Sequence, residues 1–135
     1  MPLVRIDAVR ADQKRLEGLG RAVHDALVQA IGIPEDDLFQ VLNGGSGGDA
    51  QSVVRYDDGY LGVRRDDEFV VIGITMRSGR TADQKQALYR RIAELAQEYT
   101  GTEPRNVFVS ITENEFIDWS FGEGVAQYVE TARPN

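Results

Sequence analysis

The chain has 135 residues, of which 41% are hydrophobic, as expected for a single domain with its own core. It has no cysteine and only one histidine, which excludes disulfides, thiolate chemistry and a His-rich metal site. The formal net charge of −7 argues against nucleic acid or a membrane surface as a partner, and no apolar run is long enough for a membrane span, so we expect a cytoplasmic protein.

The second residue is Pro2, and the strand-like run 3–9 follows it at once. If Met1 is removed, residue 2 carries a free secondary amine, a group that no side chain offers. A free α-amine titrates near pH 8, so burial or a neighbouring charge can set its protonation state at neutral pH. Such an amine can act as a general acid, a general base or an iminium-forming nucleophile. The structural alternative is a proline at the edge of a first strand.

The tetrapeptide Ala-Asp-Gln-Lys occurs at 11–14 and again at 82–85, and each copy opens a helix-like segment after a strand-like one. In both segments, apolar or small residues recur at the spacing of an amphipathic helix that lies on a sheet. Thr81 with Gln84 predicts a capping-box start for the second helix, and Gly101 predicts its end. The residues with helical spacing are Leu16, Leu19, Gly20, Val23, Leu27, Ala30 and Ile31, then Leu88, Ile92, Leu95, Ala96 and Tyr99.

Each predicted helix leads through a proline, Pro34 or Pro104, to a further strand-like run at 38–42 or 106–112. The chain is therefore two β-α-β units whose paired strands are parallel. We predict an α/β (α+β) fold with a four-stranded sheet and both helices on one face. The other face stays uncovered in a monomer, so we expect oligomerisation to bury it.

We expect one domain over 1–135, with an insert between the two repeats. The Gly-rich stretch 43–48 lacks the Gly-Lys-Ser/Thr of a phosphate-binding loop. After it, strand-like runs at 52–56 and 60–63 flank Asp57-Asp58-Gly59, which predicts a small hairpin. The expected divisions are repeat one at about 1–50, the insert at about 51–66, repeat two at about 67–129 and a loose tail at 130–135.

Three features resemble one known family. A β-α-β repeat that begins at an N-terminal proline resembles the tautomerase superfamily, named for 4-oxalocrotonate tautomerase. Residues 118–128, Asp-Trp-Ser-Phe-Gly-Glu-Gly-Val-Ala-Gln-Tyr, preceded by Ser-Ile-Thr-Glu-Asn at 110–114, are similar to the C-terminal signature of malonate semialdehyde decarboxylases. Residues 34–40 resemble the Pro-x-x-Asp-x-aromatic-Gln segment of the same family. The resemblance extends from Pro2 to about Tyr128.

The resemblance implies a role for each residue that matches the family pattern. Pro2 matches the catalytic amino-terminal proline, and Asp37 matches the acidic residue that assists it. Arg80 and Arg77 fall where the family places arginines that hold the substrate carboxylate. Some members have these arginines one residue apart, whereas two residues separate them here, so Arg80 is the stronger candidate. The resemblance also matches an aromatic wall of the pocket to Trp119 and Phe121.

From the residues alone, each candidate also has a structural explanation. Asp37 follows another acid in what reads as an exposed turn, and most of the arginines of such a chain are solvated surface charges. Trp119, the single tryptophan, can equally pack a core or a subunit interface. His24 lies on the first predicted helix without an obvious metal partner, so we interpret it as structural.

The resemblance implies an enzyme without cofactor or metal that decarboxylates a small 3-oxo acid as a homotrimer. Keto–enol tautomerisation of 2-oxo acids such as phenylpyruvate, or hydration of an activated acid, is the alternative reaction for the same proline. A non-enzymatic alternative is an oligomeric binding module with a blocked proline. An Asp37 carboxylate that keeps the Pro2 amine cationic favours decarboxylation, and a lowered pKa of that amine favours a general base.

Overall fold

In the computed structural model, which describes residues 1–44 and 53–130, four strands form one mixed sheet. They are β1 (Leu3–Ala8), β2 (Gln40–Gly44), β3 (Val70–Arg77) and β4 (Val107–Asn114), in the spatial order β2-β1-β3-β4. β1 pairs with β2, and β3 with β4, in parallel, whereas β1 and β3 are antiparallel. The predicted pair of β-α-β units is confirmed.

Both long helices pack on the same face of this sheet. Helix α1 (Gln13–Ala26) continues as a π-helical turn over Leu27–Ile31, and α2 spans Ala82–Thr100. Successive side chains of a strand point to opposite faces, and every second residue of β1 and β3 is buried against these helices. The large side chains that are fully buried in this core include Ile6, Leu19, Val23, Leu27, Ile72, Ile74, Leu88, Ile92 and Leu95.

The helix ends follow from local chemistry. The carboxylate of Asp12 caps α1 by accepting from the Arg15 N–H at 2.8 Å. At the start of α2, the Thr81 hydroxyl accepts from the Gln84 N–H at 3.1 Å, and the Gln84 side chain accepts from the Thr81 N–H at 2.9 Å. Gly101 follows α2 in the left-handed conformation, at φ 77°. The predicted capping box and helix end are both confirmed.

The predicted hairpin in the insert is wrong for the residues that the structure describes. Over the described residues 53–63 no strand forms, and Tyr60–Gly62 is instead a single 3₁₀ turn. The guanidinium of Arg65 reaches into this loop and donates to three of its backbone carbonyls. Those carbonyls belong to Asp57, Tyr60 and Val63, at 3.1, 3.2 and 3.1 Å from Nη1.

The second face of the sheet carries no helix in the described part of the chain. The exposed side chains on this face include Arg5, Val41 and Phe108, and 46% of Phe108 is exposed. The loop before β3 covers one end of this face, where Tyr56 stacks on Phe69 with ring centroids 4.6 Å apart. Burial of this face by other copies of the chain stays a prediction.

Some sequence expectations concern residues that lie outside the described ones. These are Ser52 of the predicted hairpin, most of the Gly-rich stretch, and the tail after Glu130. Across the residues that are described, no helix combines the length and the apolar character that crossing a bilayer requires.

Candidate active site

The residues expected at the site come from separate parts of the chain and meet at one edge of the sheet. The antiparallel register that pairs Leu3 with Thr75 brings the start of β1 beside the end of β3. Continued by one residue, this register places Pro2 opposite Met76, which directly precedes Arg77, the last residue of β3. The parallel register of β3 and β4 places Asn114 opposite Arg77, so the end of β4 reaches the same edge.

An ion pair between the chain's amine and Asp37 forms the centre of this edge. Asp37 lies in the loop between the first helix and β2, and its carboxylate contacts the Met1 amine. Both side chains are largely buried, with 9% of Met1 and 15% of Asp37 exposed. Pro2 is also buried, and its nitrogen is an amide because Met1 precedes it. The group beside Asp37 is thus the amine of residue 1.

Hydrogen bonds from α1 and β2 hold the loop that carries Asp37. The Asp37 N–H donates to the Pro34 carbonyl at 3.1 Å. His24 Nε2 lies 2.8 Å from the Glu35 carbonyl, and because a carbonyl can only accept, this nitrogen is the donor. At the end of the loop, Gln40 Nε2 donates to a carbonyl of α1 at 2.8 Å. His24 therefore supports the loop and belongs to α1 rather than to a metal site.

Two arginines stand at the same edge without a carboxylate partner among the described residues. Arg77 lies over the ring of Phe116, with its guanidinium carbon 5.0 Å from the ring centroid, and donates to the Ser78 carbonyl at 3.2 Å. The Nε of Arg80 is buried and has no hydrogen-bond partner. Gly79, at φ 116°, lets the chain turn between these arginines in a conformation that other residues rarely adopt. The guanidiniums remain available to an anion.

The electrostatics of this edge disfavour additional positive charge. Burial, and then the charges of Arg80 and Arg77, lower the pKa of the Met1 amine from 8.0 to about 5. The Asp37 carboxylate in contact with the amine acts in the opposite direction. Burial, followed by the charge of Arg77, also lowers the pKa of Arg80. An anionic ligand would offset this positive charge, so the edge is suited to a carboxylate.

An aromatic wall, formed by Trp119 and Phe121, lies beside these charges. The two rings are stacked nearly parallel, with an interplanar angle of 3° and centroids 5.6 Å apart. The ring of Phe121 also packs 5.8 Å from that of Phe39, two residues after Asp37. Since Phe39 accepts a hydrogen bond from the Val4 N–H at 3.0 Å, it ties this wall to β1. The structure thus brings the wall against the Asp37 loop.

Sequence reasoning missed three aromatic residues of this cluster. Phe39 packs on Phe121, Phe116 lies beneath Arg77, and Tyr128 packs 5.1 Å from Phe121. Phe39 and Tyr128 lie in the two segments that resemble the decarboxylase family, and this position was the only indication in the sequence that they belong to the site. Phe116 had none, because its contact with Arg77 depends on the pairing of β3 with β4. The described residues contain no cluster of three or more side chains suited to holding a metal ion.

Comparisons with known proteins match both halves of the chain. Two family profiles described as tautomerase enzymes match residues 2–44 and 48–122. The probable tautomerase YusQ of Bacillus subtilis (strain 168) is 39% identical over 132 residues, covering 96% of this chain and 100% of that protein.

Two solved structures are also similar over nearly the whole chain. One is the FG41 malonate semialdehyde decarboxylase inhibited by 3-bromopropiolate, which is 38% identical with a TM-score of 0.84 and covers 98% of this chain and 99% of that one. The other is a malonate semialdehyde decarboxylase described as having decarboxylase and hydratase activities. It is 28% identical with a TM-score of 0.81, over 93% of this chain and 95% of that one.

Proposed function

Because this chain belongs to the tautomerase superfamily of enzymes, we propose that it decarboxylates a small 3-oxo acid, with the Pro2 amine as the catalytic group once Met1 is removed. The observation that carries this proposal is the contact between the Asp37 carboxylate and the chain's amine, in which both residues are largely buried. The similarity to two malonate semialdehyde decarboxylases supports malonate semialdehyde as the first substrate to test.

The reaction breaks the bond between the carboxylate carbon and the neighbouring methylene carbon. The electron pair of this bond moves toward the carbonyl as carbon dioxide leaves. The product is an enolate, with its negative charge largely on the former carbonyl oxygen. A protonated Pro2 amine stabilises the charge that develops on this oxygen, because an ammonium group in a pocket with little water interacts strongly with it. The former methylene carbon then takes up a proton, which yields acetaldehyde from malonate semialdehyde.

The arginines and the aromatic wall have separate roles in this proposal. Arg80, with Arg77 beside it, binds the substrate carboxylate and fixes its angle to the carbonyl. Both guanidiniums lack a carboxylate partner within the described residues, which supports this role. Trp119 and Phe121 exclude water from the reacting carbons, which strengthens each electrostatic interaction inside the pocket.

Asp37 determines the protonation state of the amine. In the structure, burial is the largest cause of the lowered pKa of the Met1 amine, and Met1 is itself buried there. Removal of Met1 opens this space to water and weakens the desolvation, while the Asp37 carboxylate stays. The balance then shifts toward the charged amine, so we expect Pro2 to be cationic at neutral pH.

Keto–enol tautomerisation of a 2-oxo acid is the second candidate function. The charges of Arg80 and Arg77 lower the pKa of an amine at this position, and a general base requires a neutral amine at working pH. The name of YusQ, a probable tautomerase, also favours this reaction. In the keto-to-enol direction the Pro2 nitrogen would take a proton from the carbon beside the carbonyl, and the carbonyl oxygen would gain one; in the enol-to-keto direction the enol oxygen would lose its proton, and the carbon would gain one from the Pro2 nitrogen.

We also propose that the enzyme is a homotrimer. The sheet face opposite the helices carries exposed apolar side chains in the described part of the chain, among them Val41 and Phe108. A monomer rarely leaves such a face in contact with water. Contacts between copies of this chain would bury it and place each active-site edge close to a subunit boundary.

Three samples test the role of the amine. They are the enzyme without Met1, the enzyme that retains Met1, and Pro2→Ala without Met1, each assayed for carbon dioxide release from malonate semialdehyde and for tautomerisation of phenylpyruvate. The enzyme without Met1 should release carbon dioxide, and both other samples should be slower by about 10²- to 10⁴-fold. Equal turnover in the three samples would refute the proposal, and activity with phenylpyruvate alone would favour the tautomerase.

A further inference from the structure

We propose that Asn114 is a positioning residue that joins the aromatic wall to the arginine turn, residues 77–80. The role that we assign to these two elements in substrate binding rests on the proposed function. The connection between them is a feature of the fold and can be tested without any substrate. Asn114 is the last residue of β4 and lies opposite Arg77 in the sheet.

The side chain of Asn114 holds the indole of Trp119. The indole Nε1–H donates to Asn114 Oδ1 at 2.8 Å, across the 3₁₀ turn Phe116–Asp118. An indole has a single donor, so this bond fixes the rotation of the ring about its side-chain torsions. The nearly parallel stacking of Phe121 on Trp119 then depends on the same orientation. Asn114 thereby sets the orientation of the whole aromatic wall.

The backbone of Asn114 holds the arginine turn. Its carbonyl accepts from the Ser78 N–H at 2.7 Å. The next residue adds a second bond, since the Ser78 hydroxyl donates to Glu115 Oε2 at 2.7 Å. Glu115 is fixed in turn, because its N–H donates to Asp118 Oδ2 at 2.8 Å. The turn is therefore hydrogen-bonded through Ser78, between the two arginines, and these bonds to Asn114 and Glu115 use neither guanidinium.

The neutral charge of Asn114 is part of this arrangement. An aspartate at the same position would still accept the indole hydrogen bond, but it would place a carboxylate opposite Arg77, where it competes with a substrate carboxylate. An asparagine orients the wall and leaves the positive charge of the turn to the ligand. We therefore expect Asn114→Ala to disturb the orientation of Trp119 and Asn114→Asp to weaken substrate binding.

The test uses Trp119, the single tryptophan, as its own reporter. In Asn114→Ala, the near-ultraviolet circular dichroism of Trp119 should diminish, and kcat/KM should fall about 2- to 12-fold, the range for one lost hydrogen bond. In the Trp119→Phe background, which lacks the indole N–H, the same substitution should change kcat/KM by less than about 2-fold. Asn114→Asp should keep the tryptophan signal but raise KM, and added salt should reduce that increase.

Asn106 provides the matched control at the other end of β4. It is buried and forms two hydrogen bonds with Asp66. Its Nδ2 donates to Asp66 Oδ1 at 2.9 Å, and its Oδ1 accepts from the Asp66 N–H at 3.0 Å. Asn106→Ala should lower the melting temperature without changing the Trp119 signal or KM. Equal effects of Asn114→Ala with and without the indole N–H, or an unchanged tryptophan signal, would overturn the proposal. If the wild type acts on neither oxo acid, the proposed function fails, and the tryptophan signal alone decides the role of Asn114.

Discussion

The substitution Arg80→Gln should lower activity without lowering stability. Arg80 carries a charge that is partly buried, its Nε has no hydrogen-bond partner, and the neighbouring charge of Arg77 disfavours its protonated form. A desolvated charge that lacks a partner costs folding free energy. Replacing it with the shorter, neutral side chain of glutamine should therefore leave the melting temperature unchanged or raise it.

The size of the loss in activity follows from the contact that Arg80 is proposed to make. A hydrogen bond to a charged group contributes about 1.5–3 kcal/mol. This corresponds to a decrease in kcat/KM of roughly 10- to 160-fold for the release of carbon dioxide from malonate semialdehyde. Arg80→Lys keeps the charge but loses the bidentate geometry, so its kcat/KM should fall between those of the wild type and Arg80→Gln.

The assay pairs steady-state kinetics with thermal melting of the same samples, and Arg105→Gln serves as the control. Arg105 lies away from the site and forms ion pairs with Asp66 and Glu103, both at 2.6 Å. Its replacement should show the opposite pattern, with a lower melting temperature and unchanged kcat/KM. A lower melting temperature with unchanged kcat/KM in Arg80→Gln would contradict substrate binding by Arg80 and make it a structural residue.

Three further predictions concern the amine and the uncovered sheet face. Asp37→Asn in enzyme without Met1 should slow carbon dioxide release by about 10²- to 10⁴-fold, and an unchanged rate would remove Asp37 from the mechanism. Protein that retains Met1 should lose stability as the pH falls from 8.0 to about 5. The pKa of its amine is lowered in the folded protein, so the unfolded chain binds a proton at the amine more readily. Denaturant unfolding at both pH values should show a smaller loss in the Met1-acetylated protein, and equal losses would contradict this assignment. Phe108→Glu charges the uncovered face and should give a monomer by light scattering where the wild type is a trimer; a monomeric wild type would contradict the proposed assembly.

The fold could be predicted because its signals are local. The helical spacing of apolar residues, the Thr81 capping box and Gly101 each depend on residues that are close in the chain, and each is confirmed. The repeated tetrapeptide was a weaker guide than the spacing. Asp12 caps α1, whereas Asp83, its counterpart in the second copy, lies in the first turn of α2 after the cap at Thr81. The same tetrapeptide therefore lies two residues further into α2 than into α1.

The insert could not be predicted, because its conformation depends on one long side chain. Alternating residues on either side of Asp-Asp-Gly are typical of a hairpin. The guanidinium of Arg65 instead binds carbonyls between two and eight residues before it, which favours a compact loop. Neither the residue alternation nor the turn signal contains information about where that side chain reaches.

The candidate site was predictable in its residue types and not in its electrostatics. The resemblance selected Asp37, Arg77 and Arg80, and the structure places all three around the chain's amine. The direction in which the pKa of the Met1 amine shifts depends on burial and on the summed charge of residues far apart in the chain. The attachment of the wall to the turn through Asn114 is equally non-local, because it requires the pairing of β3 with β4.

The proposed role of Pro2 as a cationic amine depends on the protonation state of its nitrogen, which can be measured. It can be followed by ¹⁵N NMR in enzyme that lacks Met1, titrated with pH in the wild type and in Asp37→Asn. We expect a nitrogen that is largely cationic at neutral pH in the wild type and whose pKa falls in Asp37→Asn, since the carboxylate stabilises the charge. A pKa of about 6 or lower in the wild type, unchanged in Asp37→Asn, would contradict a decarboxylase with a cationic Pro2 and indicate a general base.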